Sequence, residues 1–425
     1  MQTNGFKPDG SVKRPSARQA SSNQGVWRNP HEDASSHILI TGGAGFIGTN
    51  LAERLLSQGQ RVLIFDNLSR PGVKTNLAWL RARYPDRLNV QLGDLRDEGQ
   101  ITEAVRRASA VFHFAAQVAV TTSVADPQYD FAVNAQGTLH LLEAVRQHSP
   151  DASIFFTSTN KVYGDLADIP VAHGDARYEP LDPAVRNYGV DEGRSLSFHG
   201  PYGCSKGVAD QYILDYCRTF DLCGVVFRMS CIYGPHQFGN EDQGWVAHFL
   251  LRALQEQPIT LYGDGKQVRD ILYVDDLIDA FLWAHRHSEQ VSGEAFNIGG
   301  GPENSISLLE LIDIIEELHG RTMQLQFGEW RSGDQRYYVS DIRKFTAAAG
   351  WRPQVDVIEG VHRLYRWLRE HRVPNTQPQP ASSRAGKPTI KTADSPFLGR
   401  KRTAESEQKN DVEPVERHSV AATGS

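Results

Sequence analysis

Six short runs of apolar, largely β-branched and aromatic residues recur at 37–41, 61–66, 89–93, 110–114, 153–158 and 224–229, and segments with helical spacing separate them. Leu51, Leu55 and Leu56 mark the first such helix. Strand, helix and strand in strict alternation build right-handed βαβ units, so the pattern specifies an α/β fold, doubly wound about a parallel sheet. Beyond Tyr233 the regularity fades into Gly-rich turns at 263–265 and 299–301, which places a smaller mixed α/β lobe there, with some segments returning to the first domain. The expected organisation is a disordered polar leader at 1–35, a dinucleotide-binding domain at 36–232, a substrate lobe at 233–373 and a disordered tail at 374–425. The GRKRT run at 399–403 reads as a solvated patch.

The first run passes directly into Thr41-Gly42-Gly43-Ala44-Gly45-Phe46-Ile47-Gly48. Glycines at 42, 45 and 48 let the strand turn tightly, admit a pyrophosphate to backbone N–H groups, and seat the helix close to the sheet. The helix N-terminus then presents its partial positive charge to phosphate. Asp66 ends the second strand 18 residues after Gly48. A carboxylate there accepts from a ribose 2′-OH and repels a 2′-phosphate, which selects NAD over NADP in a Rossmann-type domain. Asn67 follows it. Asp94 and Leu95, at the end of the third strand, are candidates for the adenine, with a loop-capping Asp as the alternative. Ala115 and Gln117 close the fourth strand with room for close backbone approach. His113 reads as a buried structural histidine.

Among 14 tyrosines the YxxxK pattern occurs twice. Tyr262 and Lys266 enclose Gly-Asp-Gly, which predicts a turn. Tyr202 and Lys206 precede Val208, Tyr212, Ile213 and Tyr216 at helical spacing, and only a helix brings positions i and i+4 to one face. Making a Tyr a base near neutrality takes about 3 pH units, roughly 4 kcal/mol. The Lys206 ammonium and the positive nicotinamide ring are expected to favour the phenolate. Thr159, with Ser158 as its near competitor, offers a hydroxyl to the reacting oxygen.

TGGAGFIG, DN at 66–67, GDL, HFAAQ, STNKVYGD, YGCSK and FRMSCIYGP occur in this order and together resemble the extended short-chain dehydrogenase/reductases that modify nucleotide sugars. The resemblance covers 37–368. STNKVYGDL, FHGPYGCSKGVADQYILDY, DQGWV, GKQVRD and DQR at 334–336 resemble more narrowly the CDP-paratose 2-epimerase branch of that family. The resemblance implies NAD-dependent epimerisation of a nucleotide-diphosphate sugar at C2 of a CDP-(deoxy)hexose, with Thr159, Tyr202 and Lys206 as the triad. It also implies Asn160, Arg269 and Arg331 at the substrate, and a homodimer or higher homo-oligomer. Tyr202 would take a hydroxyl proton while hydride passes to tightly bound NAD, and the keto sugar would be reduced from its other face. The family commonly carries Asn where this chain has Cys231, and Met229, Pro235 and His236 also depart from the branch.

A 4,6-dehydratase needs an acid and a base where this chain has Asn160 and Lys161, an amide and an ammonium. C4 epimerisation of a UDP-hexose uses the same triad and is the main alternative. A uronate decarboxylase and a non-catalytic NAD-binding sensor are weaker ones. With 45 basic against 51 acidic residues the net charge is −6, which gives no basic excess for a nucleic-acid or membrane-surface partner. No apolar run approaches the roughly 18 residues of a membrane span. The four cysteines, assigned to interior helix and strand, form no CxxC pair and read as reduced thiols in a cytoplasm. No metal-ligand cluster is read.

Overall fold

The computed structural model describes residues 36–331 and 333–372. The leader, the tail and the 399–403 run lie outside the described residues. In chain order the strands are β1 (His37–Thr41), β2 (Val62–Asp66), β3 (Leu88–Leu92), β4 (Ala108–His113), β5 (Ser153–Thr159), β6 (Val171–His173), β7 (Tyr178–Pro180), β8 (Gly224–Met229), β9 (Cys231–Tyr233), β10 (Ile259–Tyr262), β11 (Val268–Tyr273), β12 (Glu294–Ile298), β13 (Ser305–Ser307), β14 (Leu325–Gly328) and β15 (Tyr337–Tyr338).

Seven of them form one parallel sheet in the order β12-β8-β5-β4-β1-β2-β3. Six are the apolar runs of the sequence, displaced by no more than two residues. The seventh, β12, comes after the irregular segment and was not among them. Its five residues include Asn297, whose polarity breaks the apolar signature, yet Asn297 is fully buried. Its Nδ2 donates to the Val190 carbonyl (2.8 Å) and its Oδ1 accepts from the Tyr163 hydroxyl (2.8 Å). Apolar clusters cover both faces of the sheet, one including Ile38, Ile40, Phe112 and Phe155, the other Leu39, Val111, Ile154 and Phe156. Alternate residues of one strand therefore feed opposite cores.

The helix Gly200–Phe220 starts with Pro201 in its first turn and ends at Asp221 in the left-handed region. It buries Gly203, Ser205, Lys206, Gly207, Ala209, Asp210, Ile213 and Tyr216, whereas Tyr212 lies on the exposed face. Cys204 is exposed and Cys217, Cys223 and Cys231 are half-buried, so the expected interior placement is corrected. Cys204 points from the outer face of this helix, and Cys223 occupies the turn before β8. All four are unpaired.

Asp210 accepts a bidentate pair from Arg228 of β8, at 3.0 Å on each oxygen, and both residues are almost fully inaccessible. Arg228 also donates to the Tyr163 hydroxyl (3.2 Å). The segment 127–148 is interrupted: the helix Pro127–Phe131 continues through a π-turn at Ala132–Gln136 into the helix Gly137–His148.

In the second part of the chain, β9, β13 and β15 all pair with β11, and β10 pairs with β14. The helices Trp245–Leu254, Leu308–His319 and Val357–His371 pack on these strands through Leu250, Leu311, Ile315 and Leu364. Ser307 and Glu310 form a capping box at the start of Leu308–His319.

Asp210→Asn leaves the Arg228 guanidinium buried without its counter-charge and should lower unfolding free energy by about 3–5 kcal/mol in urea titrations. Asp210→Asn combined with Arg228→Met should recover a large part of that loss.

Candidate active site

The carboxyl ends of β1, β2, β3, β4 and β5 open on a cavity of about 1140 Å³ that the second lobe closes from the other side. The glycine turn forms one wall. Gly42 has φ +67°, and a Cβ there would come within 2.7 Å of the Ala115 backbone N. A Cβ on Gly48 would lie 2.5 Å from the Gly42 carbonyl oxygen. Side chains at either position would fill the gap between turn, helix and β4. The helix Phe46–Ser57 has no side-chain cap at Gly45, so its first N–H groups face the cavity. At the tip of β2, Asp66 is buried, accepting from Ala44 N (3.1 Å) and Leu68 N (2.8 Å), and burial pushes its carboxyl up. An uncapped helix start, a turn with no room for side chains and a carboxylate at the second strand end fit a dinucleotide.

Gly42, Gly45, Phe46, Ile47, Gly48, Asp66, Asn67, Asp94, Leu95 and Ala115 all line the cavity. Asp94 is held by Arg96 on both oxygens (2.9 Å each) and by Asn67 Nδ2 (3.0 Å), and its contact with the Arg96 backbone N makes it a loop cap as well. The Arg96 bonds hold its carboxyl well below the usual carboxylate range. Gln117 is not part of the lining. Its amide closes onto Ala119 in both directions (2.6 and 2.8 Å), and its backbone N donates to Asn134 Oδ1 (2.8 Å). His113 is fully buried between Thr41 (2.7 Å) and Thr138 (3.0 Å), and burial pushes it down to about 3, a neutral structural ring.

Thr159 ends β5, and Tyr202 and Lys206 stand one turn apart on Gly200–Phe220; all three line the cavity. The Thr159 hydroxyl donates to Asn160 Oδ1 (3.3 Å) and accepts from Lys161 N (3.2 Å). Ser158 Oγ, also in the lining, is buried without a partner among the described residues. Burial pushes the Tyr202 phenol up to about 12; the Thr159 hydroxyl pulls it down, the Asp130 carboxylate pushes it up, and the Arg70 guanidinium pulls it down. The expected effect of Lys206 is not among these influences. Its Nζ lies over the Phe156 ring, 4.1 Å from the centroid, and burial pushes its ammonium down to about 7 against the opposing pull of Asp210 and Asp130. Removal from water outweighs the charge effect that the spacing alone suggested.

Two residues here escaped the sequence reading. Asp130 is fully buried and accepts from Ser205 and from Asn134 Nδ2 (3.2 Å), while Asn134 also reaches Ser205 Oγ (3.0 Å). The π-turn at Ala132–Gln136 carries Asn134 into this network. Asp130, Asn134 and Thr138 are polar at i, i+4 and i+8 within an otherwise apolar pattern, a signal that could have marked them.

On the side of the second lobe, Arg269 on β11 is buried in the lining and donates to the Val268 carbonyl (2.8 Å). Arg331 is held by the Glu241 carbonyl (3.0 Å) and by Asp242 (3.5 Å), with its guanidinium 3.7 Å above the Tyr262 ring. Asn160 donates to Gln335 (3.0 Å). Lys161 donates to the Gly333 carbonyl (2.9 Å), and burial, then the nearby Arg269, pushes it down to about 8. Cys231 Sγ accepts from Trp245 Nε1 at 3.4 Å. Tyr262 and Lys266 flank a turn with positive φ at Gly263 and Gly265, and Lys266 points instead to the Gly174 carbonyl (2.9 Å).

The chain is 45% identical over 337 residues to CDP-paratose 2-epimerase of Salmonella typhi, covering 78% of this chain and 98% of that protein. It is 32% identical to UDP-glucose 4-epimerase of Mycolicibacterium smegmatis over 78% of this chain and 98% of that protein. Among solved structures, the UDP-glucose 4-epimerase of Thermus thermophilus in complex with NAD superposes with a TM-score of 0.66 at 32% identity, covering 79% of this chain and 99% of that one. The dTDP-glucose 4,6-dehydratase DesIV of Streptomyces venezuelae, solved with NAD bound, gives 0.68 at 29% identity, with 79% and 98% covered. Residues 38–299 match the NAD dependent epimerase/dehydratase family, and with the glycine turn, Asp66 and the Thr159, Tyr202 and Lys206 group on one cavity, the chain belongs to that family of NAD-dependent nucleotide-sugar enzymes.

Proposed function

We propose that the chain epimerises a CDP-linked deoxyhexose at C2, with Thr159, Tyr202 and Lys206 as its reacting and positioning groups. The convergence of these three side chains on the cavity that also holds the glycine turn carries the reaction class. The 45% identity to a CDP-paratose 2-epimerase over nearly its whole length supports the nucleotide and the carbon. C4 epimerisation of a UDP-hexose is the second reading, favoured by the UDP-glucose 4-epimerases at 32% identity. Asn160 and Lys161 beside Thr159 argue against dehydration, because neither an amide nor an ammonium replaces a carboxylic acid and carboxylate pair.

Inverting a hydroxyl-bearing carbon requires its hydrogen to leave and return on the opposite face while the hydroxyl proton leaves and returns at one place. Tyr202 Oη is that place. Thr159 donates to the same region and holds the sugar oxygen, and Arg269 and Arg331 offer planar forks to the sugar's diphosphate. Bound NAD supplies the hydride acceptor and donor, and a positive ring beside the phenol. Lys206 binds ribose hydroxyls, and its ammonium is strengthened once polar partners replace its bare burial. Exposed Phe131, Tyr212 and Phe220 on 127–131 and 200–220 support a homodimer through these helices. No helix among the described residues is long and apolar enough to cross a membrane, and the unpaired cysteines fit a cytoplasmic enzyme.

NMR of the purified protein with CDP-, UDP- and dTDP-sugars, including CDP-paratose, and no added NAD should show C2 inversion of the CDP-deoxyhexose. Inversion at C4 of UDP-glucose instead would select the second reading. Tyr202→Phe should reduce turnover by at least about 10³-fold, while NAD content stays at the parent level. Substantial residual turnover would reassign the base. The folded Lys206 releases its proton near pH 7 and the unfolded one near 10. Between these values the unfolded chain binds more protons, so this group's contribution to stability rises with pH and is least favourable below 7. Lys206→Met should therefore stabilise the ligand-free protein at pH 6, with the gain in melting temperature shrinking towards pH 10.

A further inference from the structure

The loop between β2 and the helix Val73–Arg83 carries a guanidinium that the reaction scheme does not use. Arg70 is half-buried in the lining of the cavity, four residues beyond Asp66. Among the described residues it makes no hydrogen bond and no ion pair. Four other cations of the lining are engaged, Arg331 with Asp242, Lys161 with Asp334 and the Gly333 carbonyl, Arg269 with the Val268 carbonyl, and Arg372 stacked on Phe238 at 3.3 Å, while Lys206 stands over the Phe156 ring. A guanidinium withdrawn from water without a counter-charge is unfavourable, and burial pushes Arg70 down from its ordinary value.

The loop is built to hold it there. Leu68 N donates to Asp66 Oδ1 (2.8 Å) and Ser69 N to Asn67 Oδ1 (3.0 Å), two successive side-chain turns leading into Arg70. Gly72, at φ +83°, passes so close to Phe238 that a Cβ would lie 2.0 Å from its ring. Arg70 thus starts from the Asp66 end of the cavity, where the adenosine ribose is expected. Its charge nonetheless reaches the Tyr202 phenol at the other end. The uncapped start of Phe46–Ser57 lines the same cavity and supplies N–H groups but no full positive charge.

We infer that Arg70 closes over a diphosphate lying against the glycine turn, the diphosphate of the dinucleotide, and so supplies the missing counter-charge that keeps the cofactor in place. A diphosphate is also part of the sugar nucleotide, and the two sources separate by binding. This inference rests on dinucleotide binding and not on the identity of the sugar, and its test requires no turnover.

Full-length Arg70→Met and Arg70→Lys are compared with the parent for NAD content after purification, and by calorimetry for NAD, ADP-ribose, adenosine and CDP. The Kd of Arg70→Met for NAD and for ADP-ribose should rise by about 10- to 100-fold, the loss of a charge-assisted hydrogen bond. Adenosine and CDP should stay within about two-fold, and Arg70→Lys should lose less than Arg70→Met. An unchanged NAD Kd overturns the inference. A rise confined to CDP also overturns it and assigns the guanidinium to the substrate. Parallel losses for adenosine and NAD overturn it too, because they mark Arg70 as a prop for the loop.

Discussion

The buried pair between Asp210 and Arg228 fixes the helix that carries Tyr202 and Lys206 onto the sheet that carries Thr159. Its two bonds at 3.0 Å are geometrically demanding. They are sealed from water, so a shift of the helix along its axis would strand two charges rather than exchange one contact for another. Tyr163 joins the same group and passes the constraint to Asn297 on β12. Tyr202 and Lys206 are therefore set by a polar lock one to two turns further along the helix, in a region where apolar packing alone would tolerate sliding.

Around that lock the cavity wall combines groups that lose stability by being there. Lys206 is an ammonium held over an aromatic ring, Ser158 a hydroxyl without a partner, and Asp66 a buried carboxylate whose contacts come from backbone N–H groups. Each is unfavourable in the ligand-free protein and, under the proposed function, meets a hydroxyl, an amide or a charge of the bound molecules. Binding then recovers free energy that folding left unrealised, and ligand should raise global stability by linkage.

Local chemistry made much of this legible. The apolar runs marked six sheet strands because a parallel strand buried on both faces has few polar positions to blur it. Gly-Asp-Gly between Tyr262 and Lys266 set that pair apart from Tyr202 and Lys206, since the turn it forms cannot bring both to one face. What escaped depended on distant partners. β12 contains Asn297, polar by composition and buried because Tyr163 and Val190 satisfy it. Asn134 enters the site through a π-turn that helical spacing does not encode. Gln117 lies outside the lining, its amide closed onto Ala119 two residues away. The charge environment of Tyr202 was inverted for a related reason: spacing gives the distance to Lys206 but not the loss of water around both.

β12 has one more consequence. Among the described residues it is the edge of the main sheet and pairs only with β8, yet the chain reaches it after β9, β10 and β11 have been laid down in the other lobe. A polypeptide released or expressed only as far as β8 would present an unpaired, largely apolar strand as an open template for other chains. Cutting at the junction of the two lobes would therefore separate β12 from the sheet it completes. During synthesis the nucleotide-binding sheet stays incomplete until much of the substrate lobe has emerged, which ties the maturation of one lobe to the other.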